Sequence, residues 1–157
     1  MPTFSFSYDH YANLDSLTSK QNELITAAIK MTNQSHAPYS NFHVGCAVLL
    51  ANQEIITGSN IENSSYPVGI CAERTALANV ISNHRNAKIK SIAISYQSES
   101  KQNKIIFPCG MCRQFILECE QINQVPIELI LHAPSNETVI LSKASDLLPF
   151  GFTNESL

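Results

Sequence analysis

The sequence predicts an α/β fold in which helices cover the faces of one central sheet. Its predicted elements run in the order helix, β-hairpin, helix, strand, helix, strand, strand, and this alternation is typical of a sheet with helical layers. The chain has 157 residues, about the length of one domain. No repeat, low-complexity tract or internal linker divides it.

The first predicted elements are a helix and a hairpin. Ser16 or Ser19 can cap the helix, whose apolar residues recur at helical spacing until it ends near Asn33. Residues 42–50 (FHVGCAVLL) are β-compatible, and residues 54–57 (EIIT) follow a plausible tight turn. The two segments therefore predict an antiparallel hairpin.

The rest of the chain alternates between loops and periodic segments. Residues 60–69, rich in Asn, Ser, Pro and Gly, and the polar residues 97–104 are predicted loops. The remaining predicted elements are helices at residues 71–82 and 109–121, strands at residues 89–96, 127–132 and 138–141, and a helical turn at residues 145–148.

Composition and charge argue against several functional classes. The 10 basic and 13 acidic residues leave a net charge of −3, and no Lys/Arg-rich run offers a surface for nucleic acid. No apolar stretch approaches the roughly 20 residues that span a bilayer. Residues 1–15 lack the basic start and apolar run of a secretory signal peptide. We therefore expect a cytoplasmic protein that binds neither nucleic acid nor membrane.

Two further counts bear on partners and on redox chemistry. Charged residues make up only 15% of the chain, against about 25% in typical domains, which hints at surface covered by partner chains. The odd number of cysteines, with no export signal, argues against a disulfide framework. The five cysteines are Cys46, Cys71, Cys109, Cys112 and Cys119.

Three of these cysteines stand at the starts of predicted helices. Cys109 and Cys112 share one face of a first helical turn, and Cys71 begins another helix. Helix N-termini favour anions, so a cysteine there loses its proton more easily. Three thiolates and a water are the pattern of a catalytic zinc site, in which zinc lowers the pKa of the water to about 7. Cys46 and Cys119 are predicted to pack in the core.

A carboxylate accompanies the predicted metal site. Glu73 lies two residues beyond Cys71, where it can pass a proton from water to a substrate nitrogen, as hydrolytic deamination requires. Arg74 is the nearest cation that could offset the charge of three thiolates. A lone C-x-x-C is shared by zinc knuckles and redox thiols, but Cys-x-Glu together with Pro-Cys-x-x-Cys is the signature of zinc nucleobase deaminases.

At these residues the chain resembles the small, all-cysteine type of cytidine deaminase. The similarity extends over residues 20–152. It is carried by residues 39–45 (YSNFHVG), 60–63 (NIEN), 70–76 (ICAERTA), 108–114 (PCGMCRQ) and 147–149 (LLP).

The resemblance implies roles at the reaction centre. Cys71, Cys109 and Cys112 would bind one zinc ion per chain, and Glu73 would be the catalytic proton shuttle. Arg74 would hydrogen-bond the thiolates and reduce their charge.

It also implies roles in substrate binding. Asn60 and Glu62 would bind the ribose hydroxyls, Phe42 would stack on the pyrimidine ring, and Ala72 would contact the substrate. Phe152 would reach the pocket of a neighbouring chain.

For the whole chain, the resemblance implies an α/β/α sandwich around a five-stranded mixed sheet, assembled as a homotetramer. The expected reaction converts cytidine and 2′-deoxycytidine to uridine and 2′-deoxyuridine with release of ammonia, in pyrimidine salvage. Residues 1–19 would be an N-terminal extension and residues 20–157 the deaminase domain. The extension and the C-terminal residues 153–157 (TNESL) depart from the family pattern.

Alternatives stay open at this stage. The chain could deaminate another cytosine nucleoside, such as an antibiotic of the blasticidin S type, or be a structural zinc module or a thiol redox protein. Nucleic-acid editing is disfavoured because no basic groove is evident. Simpler interpretations also exist for Phe42 and Phe152 as packing residues, for Arg74 as a surface ion pair, and for Asn60 and Glu62 as loop residues.

Overall fold

A computed structural model describes residues 1–99 and 103–153. Parts of two predicted segments, residues 100–102 of the polar loop and residues 154–157 of the C-terminal tail, therefore lie outside the described residues. The helices and strands are β1 (Asp9–Tyr11), α1 (Ser19–Thr32), β2 (Phe42–Leu50), β3 (Ile55–Ser59), α2 (Ala72–Asn83), β4 (Ile89–Ser98), α3 (Gly110–Asn123), β5 (Glu128–His132) and β6 (Thr138–Leu141).

The strands form one mixed sheet in the order β1-β6-β5-β4-β2-β3. Strands β4 and β5 are parallel, and the other neighbours are antiparallel, including the predicted β2–β3 hairpin. The expected count of five strands was wrong by one, because Asp9–Tyr11 of the predicted N-terminal extension pairs with β6. The predicted α/β class and mixed sheet are confirmed.

Helices cover both faces of the sheet and complete the three predicted layers. Leu24, Ile25 and Ala28 of α1 pack against one face, where Ala47 and Leu49 of β2 point. Alternate residues of β2 point to the other face, as the period of two in a strand requires. There they meet side chains from α2 and α3. This second core includes Cys46, Val48, Leu50, Ala76, Leu77, Val80, Ile92, Ile94, Ile116 and Cys119.

Helix α1 begins with a capping box rather than with either predicted serine cap. Thr18 is the N-cap, and its hydroxyl accepts a hydrogen bond from the Gln21 amide at 3.2 Å. The Gln21 side chain in turn accepts from the Thr18 amide at 3.0 Å. This reciprocal pairing satisfies two backbone donors, so Thr18 caps the helix more completely than a lone serine would. Ser19 is the first helical residue.

Helix α2 lies unusually close to β3, because a glycine faces it. A Cβ atom at Gly58 would lie 2.5 Å from the Ala76 nitrogen and 2.8 Å from the Ala72 oxygen. This close approach fixes the first turns of α2, which follow Cys71 directly. Within the described residues, no helix combines the length and apolar character needed to cross a membrane.

Candidate active site

Three cysteine thiols meet where α2 and α3 begin. Cys71 is the N-cap residue of α2, Cys109 is the N-cap residue of α3, and Cys112 lies in the first turn of α3. The Cys109 Sγ atom lies 3.9 Å from that of Cys71 and 3.5 Å from that of Cys112. All three Sγ atoms lie within 4.8 Å of one another. The structure therefore brings together the three cysteines that the sequence singled out.

The spacing of these thiols fits a zinc ion. Four sulfur ligands at a Zn–S length of about 2.3 Å and tetrahedral angles stand about 3.8 Å apart, close to the Sγ separations of 3.9 Å and 3.5 Å. Sulfur is also a donor that zinc prefers. Cys112 is buried, Cys71 is half-buried and Cys109 is exposed, so one side of the cluster remains accessible from solvent.

One thiol of the cluster is poised to carry negative charge. Hydrogen bonding from the Cys112 thiol is the main cause that lowers the pKa of Cys71 to about 6, and Cys109 and the charge of Arg74 act in the same direction. The pKa of Cys112 is raised, chiefly by that same hydrogen bond to Cys71 and by burial. Without a metal, the cluster thus favours a Cys71 thiolate held by neighbouring thiols.

Arg74 lies beside the cluster with an unsatisfied donor. Its Nη2 atom donates to the Gly69 carbonyl at 3.1 Å. Its Nε atom is buried and has no hydrogen-bond partner in the described part of the chain. A buried guanidinium donor without a partner is costly, and a fully ionised, metal-bound thiolate is an acceptor that would satisfy it. This orphaned donor is a second observation that fits a metal at the three cysteines.

Glu73 occupies the first turn of α2 and is only 5% exposed. Burial is the main cause that raises the pKa of its carboxyl, and the negative charge of Cys71 adds to the effect. The charge of Glu73 also contributes, after burial, to the raised pKa of Cys46 in the core. A carboxyl that gains a proton readily is suited to proton transfer.

Cys71, Cys109 and Glu73 line a cavity of about 620 Å³. This volume falls within the range of about 300–1,000 Å³ of small-molecule sites. Cys112 is buried and does not line the cavity. Seven of the residues predicted for the site line the cavity: Phe42, Asn60, Glu62, Cys71, Ala72, Glu73 and Cys109.

Glu62 is held by the segment that precedes β2. Its carboxylate accepts hydrogen bonds from the Tyr39 amide at 2.9 Å, the Ser40 amide at 3.3 Å and the Ser40 hydroxyl at 2.5 Å. The bond from the Ser40 hydroxyl is the main cause that lowers the pKa of Glu62, so this side chain is an anion. Tyr39 and Ser40 belong to the motif at residues 39–45, and nothing in the sequence pattern predicts that they hold Glu62.

Asn60 joins the loop after β3 to the start of β2. Its Oδ1 atom accepts from the Val44 amide at 2.7 Å, and its Nδ2 atom donates to the Phe42 carbonyl at 2.9 Å. The side chain therefore extends the hydrogen bonding of β2, and one Nδ2 hydrogen has no partner among the described residues. The bond from Asn60 Nδ2 fixes the backbone of Phe42 at the cavity wall.

The Phe42 ring is stacked on Tyr96, with ring centroids 5.1 Å apart and an interplanar angle of 22°. The two residues come from neighbouring strands, since Phe42 and Val44 of β2 pair with Ser98 and Tyr96 of β4. Tyr96 was missed by the sequence analysis because only the register of β2 against β4 brings the rings together.

Phe152 does not line the cavity of its own chain. It is 60% exposed, and its carbonyl accepts a hydrogen bond from Gln114 Nε2 at 2.8 Å. Its contribution to a neighbouring site stays a prediction. Cys46 and Cys119 are buried in the core as predicted.

These observations define the class of protein: an α/β/α domain with a three-thiol metal site and an adjacent carboxylate, the arrangement of the zinc-dependent deaminases. The family described as "Cytidine and deoxycytidylate deaminase zinc-binding region" matches residues 18–129. The chain belongs to this cytidine deaminase family of hydrolytic deaminases.

Individual relatives support this family assignment. A cytidine deaminase of Halalkalibacterium halodurans is 37% identical over 135 residues, which cover 85% of this chain and 95% of the relative. A probable cytidine deaminase of Dictyostelium discoideum is 37% identical, over 85% of this chain and 84% of the relative. The match to the cytidine deaminase of Mycoplasma pneumoniae, at 42% identity, spans 57% of this chain and 64% of the relative.

Solved structures share the fold. The crystal structure of cytidine deaminase from Burkholderia pseudomallei superposes with a TM-score of 0.72 at 32% identity, covering 87% of this chain and all of that chain. Cytidine deaminase from Mycobacterium tuberculosis gives a TM-score of 0.66 at 26% identity, over 87% of this chain and 99% of that chain.

Proposed function

We propose that this chain hydrolyses cytidine and 2′-deoxycytidine to uridine and 2′-deoxyuridine and releases ammonia. The observation that carries the proposal is the placement of a buried carboxylate, Glu73, beside three clustered thiols at one cavity. Membership in the cytidine deaminase family supports the same reaction.

Cys71, Cys109 and Cys112 would hold one zinc ion per chain. Three protein ligands leave one tetrahedral position for water or substrate, which distinguishes a catalytic site from a closed structural one. When bound, zinc supplies a Lewis acid that activates water for attack on the ring carbon bearing the amine. The Arg74 guanidinium would offset part of the thiolate charge that otherwise weakens this effect.

Glu73 would carry the protons of the reaction. Over the whole reaction the attacking water must lose both of its protons, one to the ring nitrogen and, as the ring carbonyl forms, one to the departing amine. A carboxyl whose pKa is raised by burial can accept the first proton and release it to the substrate near neutral pH. General acid–base transfer of this kind contributes about 10²–10⁴-fold to the rate.

The cavity lining favours a nucleoside over a nucleotide. Among the described residues that line it there is no Lys or Arg, and Glu62 is an anion. A 5′-phosphate would need cationic or backbone N–H partners and would be repelled by a carboxylate. Carboxylate and amide groups at Glu62 and Asn60 suit ribose hydroxyls, and the Phe42 ring suits a pyrimidine face.

The rim of the cavity supports self-association. Tyr39, Ile61, Tyr66 and Phe107 line it and expose large apolar side chains. Neighbouring chains would cover these side chains in a homotetramer, and Phe152 would reach a neighbour's pocket. We further propose that the protein acts in the cytoplasm, in pyrimidine salvage, and that residues 20–157 form the deaminase domain behind an N-terminal extension of residues 1–19.

A substrate panel tests the proposal. Purified protein with its zinc quantified is assayed on cytidine, 2′-deoxycytidine, cytidine 5′-monophosphate, blasticidin S and a cytosine-containing single-stranded oligonucleotide. We expect about one zinc per chain and deamination of the first two compounds. Turnover of blasticidin S alone would assign another nucleoside, and bound zinc without deamination of any compound would indicate a structural zinc module.

A further inference from the structure

A second cavity, of about 400 Å³, adjoins the candidate active site at Phe107. Phe107 is the one residue, among those the structure describes, that lines both cavities. The other residues around the second cavity are mostly apolar, and they are Phe6, Tyr8, His10, Val139, Leu141 and Leu147. Phe107 therefore stands between the proposed substrate pocket and an apolar space that the reaction does not use.

The N-terminal segment supplies one wall of this second cavity. Strand β1 pairs with β6, with His10 opposite Val139. Phe6, Tyr8 and His10 follow each other at intervals of two, so in an extended segment they face the same side of the sheet. Tyr11 packs instead with the core beneath α1.

The segment that carries Phe107 is anchored at both ends. The Tyr96 hydroxyl donates to the Lys104 carbonyl at 2.6 Å, and the Arg113 Nε atom donates to the Pro108 carbonyl at 2.8 Å. Tyr96 is also the residue on which Phe42 stacks. The backbone around Phe107 is thus hydrogen-bonded to Tyr96, whose ring stacks on the cavity-lining Phe42. The Phe107 side chain itself is 51% exposed.

The position of Phe107 indicates which part of a substrate it meets. The reacting carbon must lie beside the thiols, and the sugar would lie toward Glu62. Phe107 precedes Cys109 by two residues and lines the same cavity. With the reacting carbon at the thiols, its ring would lie near the edge of the base that bears the amine. Its ring would limit the space for groups on the exocyclic nitrogen or on the neighbouring ring carbon, C5.

We propose that Phe107 is a specificity-determining residue that excludes apolar substituents on the amine edge of the base, and that Phe6 and Tyr8 support its ring from the second cavity. This inference rests on the proposed function. Replacing the Phe107 ring by a methyl group would join the two cavities and admit a substituent of several carbons. Discrimination of this steric kind is commonly worth about 10–200-fold per methylene-sized difference.

The test compares kcat/KM for cytidine, 5-propylcytidine and N4-propylcytidine in the wild type and in Phe107→Ala. We expect the ratio of a propyl substrate to cytidine to rise at least about tenfold in the variant, mainly through KM. Phe107→Leu, which keeps more of the wall, should give an intermediate ratio and serves if Phe107→Ala does not fold. Zinc content and Tm are measured alongside.

Variants of the N-terminal segment test the support of the ring. Phe6→Ala and Tyr8→Ala should each raise the ratio of kcat/KM for a propyl substrate to that for cytidine by about two- to fivefold. In a protein that already carries Phe107→Ala, Phe6→Ala should raise this ratio less than twofold, because the effects of coupled residues are not additive. Phe4→Ala is the matched control, since Phe4 contacts Phe6 with ring centroids 6.3 Å apart yet lines neither cavity. It should leave the ratio unchanged.

The outcomes separate this inference from the proposed function. A wild type that does not deaminate cytidine contradicts the proposed function and the inference with it. A wild type that deaminates cytidine, with substrate ratios unchanged in folded, zinc-loaded Phe107→Ala or Phe107→Leu, overturns the inference alone. A raised ratio in these variants that Phe4→Ala reproduces would also overturn it.

Discussion

Cys109 combines two roles in one residue, because it ends the loop before α3 and also brings a thiol within 3.9 Å of Cys71 Sγ and 3.5 Å of Cys112 Sγ. As an N-cap residue it makes no side-chain hydrogen bond to the helix. Ser, Thr, Asp or Asn would cap the helix better at that position. The use of cysteine at both helix starts therefore indicates that metal binding outweighs capping at this site.

Replacing Cys109 directly tests whether this residue is needed for metal binding. Cys109→Ala should abolish stoichiometric zinc binding and lower cytidine turnover at least about 10²-fold, because two thiols cannot complete the site. Metal analysis of the purified protein and the rate of cytidine absorbance loss measure the two effects. Cys119→Ala is the matched control, since Cys119 lies on the same helix but is buried in the core, and it should keep its zinc. Zinc-free, fully active Cys109→Ala would contradict the assigned site.

The short motifs of the sequence predicted which cysteines the structure brings together, but they predicted less about the residues around them. Cys71, Cys109, Cys112 and Glu73 were found because each lies at the start of a predicted helix. Tyr96 was missed because its contact with Phe42 depends on the pairing of two strands. A one-dimensional pattern does not contain such a contact.

The same limit applies to hydrogen bonds and cavities. The bonds that hold Glu62 come from residues 22 and 23 positions earlier in the chain. The exposed ring of Phe107 gives no periodic signal at all, and its place between two cavities emerges only in three dimensions.

At the level of elements, the position of Cys71 depends on how closely α2 packs on β3. Gly58→Ala should lower the free energy of unfolding by about 1–3 kcal/mol, because the added Cβ would overlap the backbone of Ala72 and Ala76. Zinc affinity should fall as the start of α2 shifts. Urea denaturation and competition with a chelator measure the two effects.

Gly110→Ala provides the matched control for that change. A Cβ at Gly110 meets nothing within 4 Å, and alanine favours the helical conformation. Its free energy of unfolding should stay within about 1 kcal/mol of the wild type or rise. Equal stability in Gly58→Ala and Gly110→Ala would contradict the packing argument.

Strand β5 ends in a buried histidine, His132, that should make stability depend on pH. The Nδ1 atom of His132 lies 3.0 Å from the Thr138 hydroxyl, and burial lowers the pKa of the ring. In the unfolded chain the pKa of a histidine is about 6.5. Below that pH the unfolded state binds a proton that the folded state resists, so the free energy of unfolding falls as pH falls.

Substitution isolates this contribution. Between about pH 7.5 and 5.5, His132→Gln should lose less of its free energy of unfolding than the wild type, because its unfolded state lacks the titrating ring. Urea denaturation at both pH values provides the comparison. An identical loss in the two proteins would show that His132 does not contribute to the acid sensitivity.

Elements with a strong apolar period were predictable almost to the residue. Strands β2 and β6 have the predicted bounds, and each α-helix begins within one residue of a predicted start or cap. Strand β1 was not predicted because its sequence, Asp-His-Tyr, has no apolar alternation and its pairing depends on β6, more than a hundred residues away. The Thr18 cap has a signature in the sequence, Thr-x-x-Gln, which is a more specific capping pattern than the lone Ser16 or Ser19.

For the whole molecule, the exposed apolar rim of the cavity predicts an assembly. Tyr66 is 78% exposed and packs edge-on against Tyr39, with ring centroids 6.3 Å apart. Large apolar side chains around a cavity are typical of a surface that another chain covers. The low fraction of charged residues is consistent with this arrangement.

Light scattering after size-exclusion chromatography measures the assembly. We expect a mass about four times that of the 17.3 kDa chain. Tyr66→Ala should weaken the assembly, and cytidine turnover should then fall on dilution, because residues of neighbouring chains would close each pocket. A monomeric, fully active protein at low concentration would contradict the shared-pocket proposal.

The central claim is that Glu73 transfers protons beside a zinc ion held by three cysteines, and Glu73→Gln tests it most directly. Zinc per chain and cytidine turnover are measured on the same preparations of wild type and variant. We predict equal zinc content and a kcat lowered at least about 10²-fold, because the amide keeps the shape of the side chain but carries no titrating proton. Near-wild-type turnover by zinc-loaded Glu73→Gln would contradict the account.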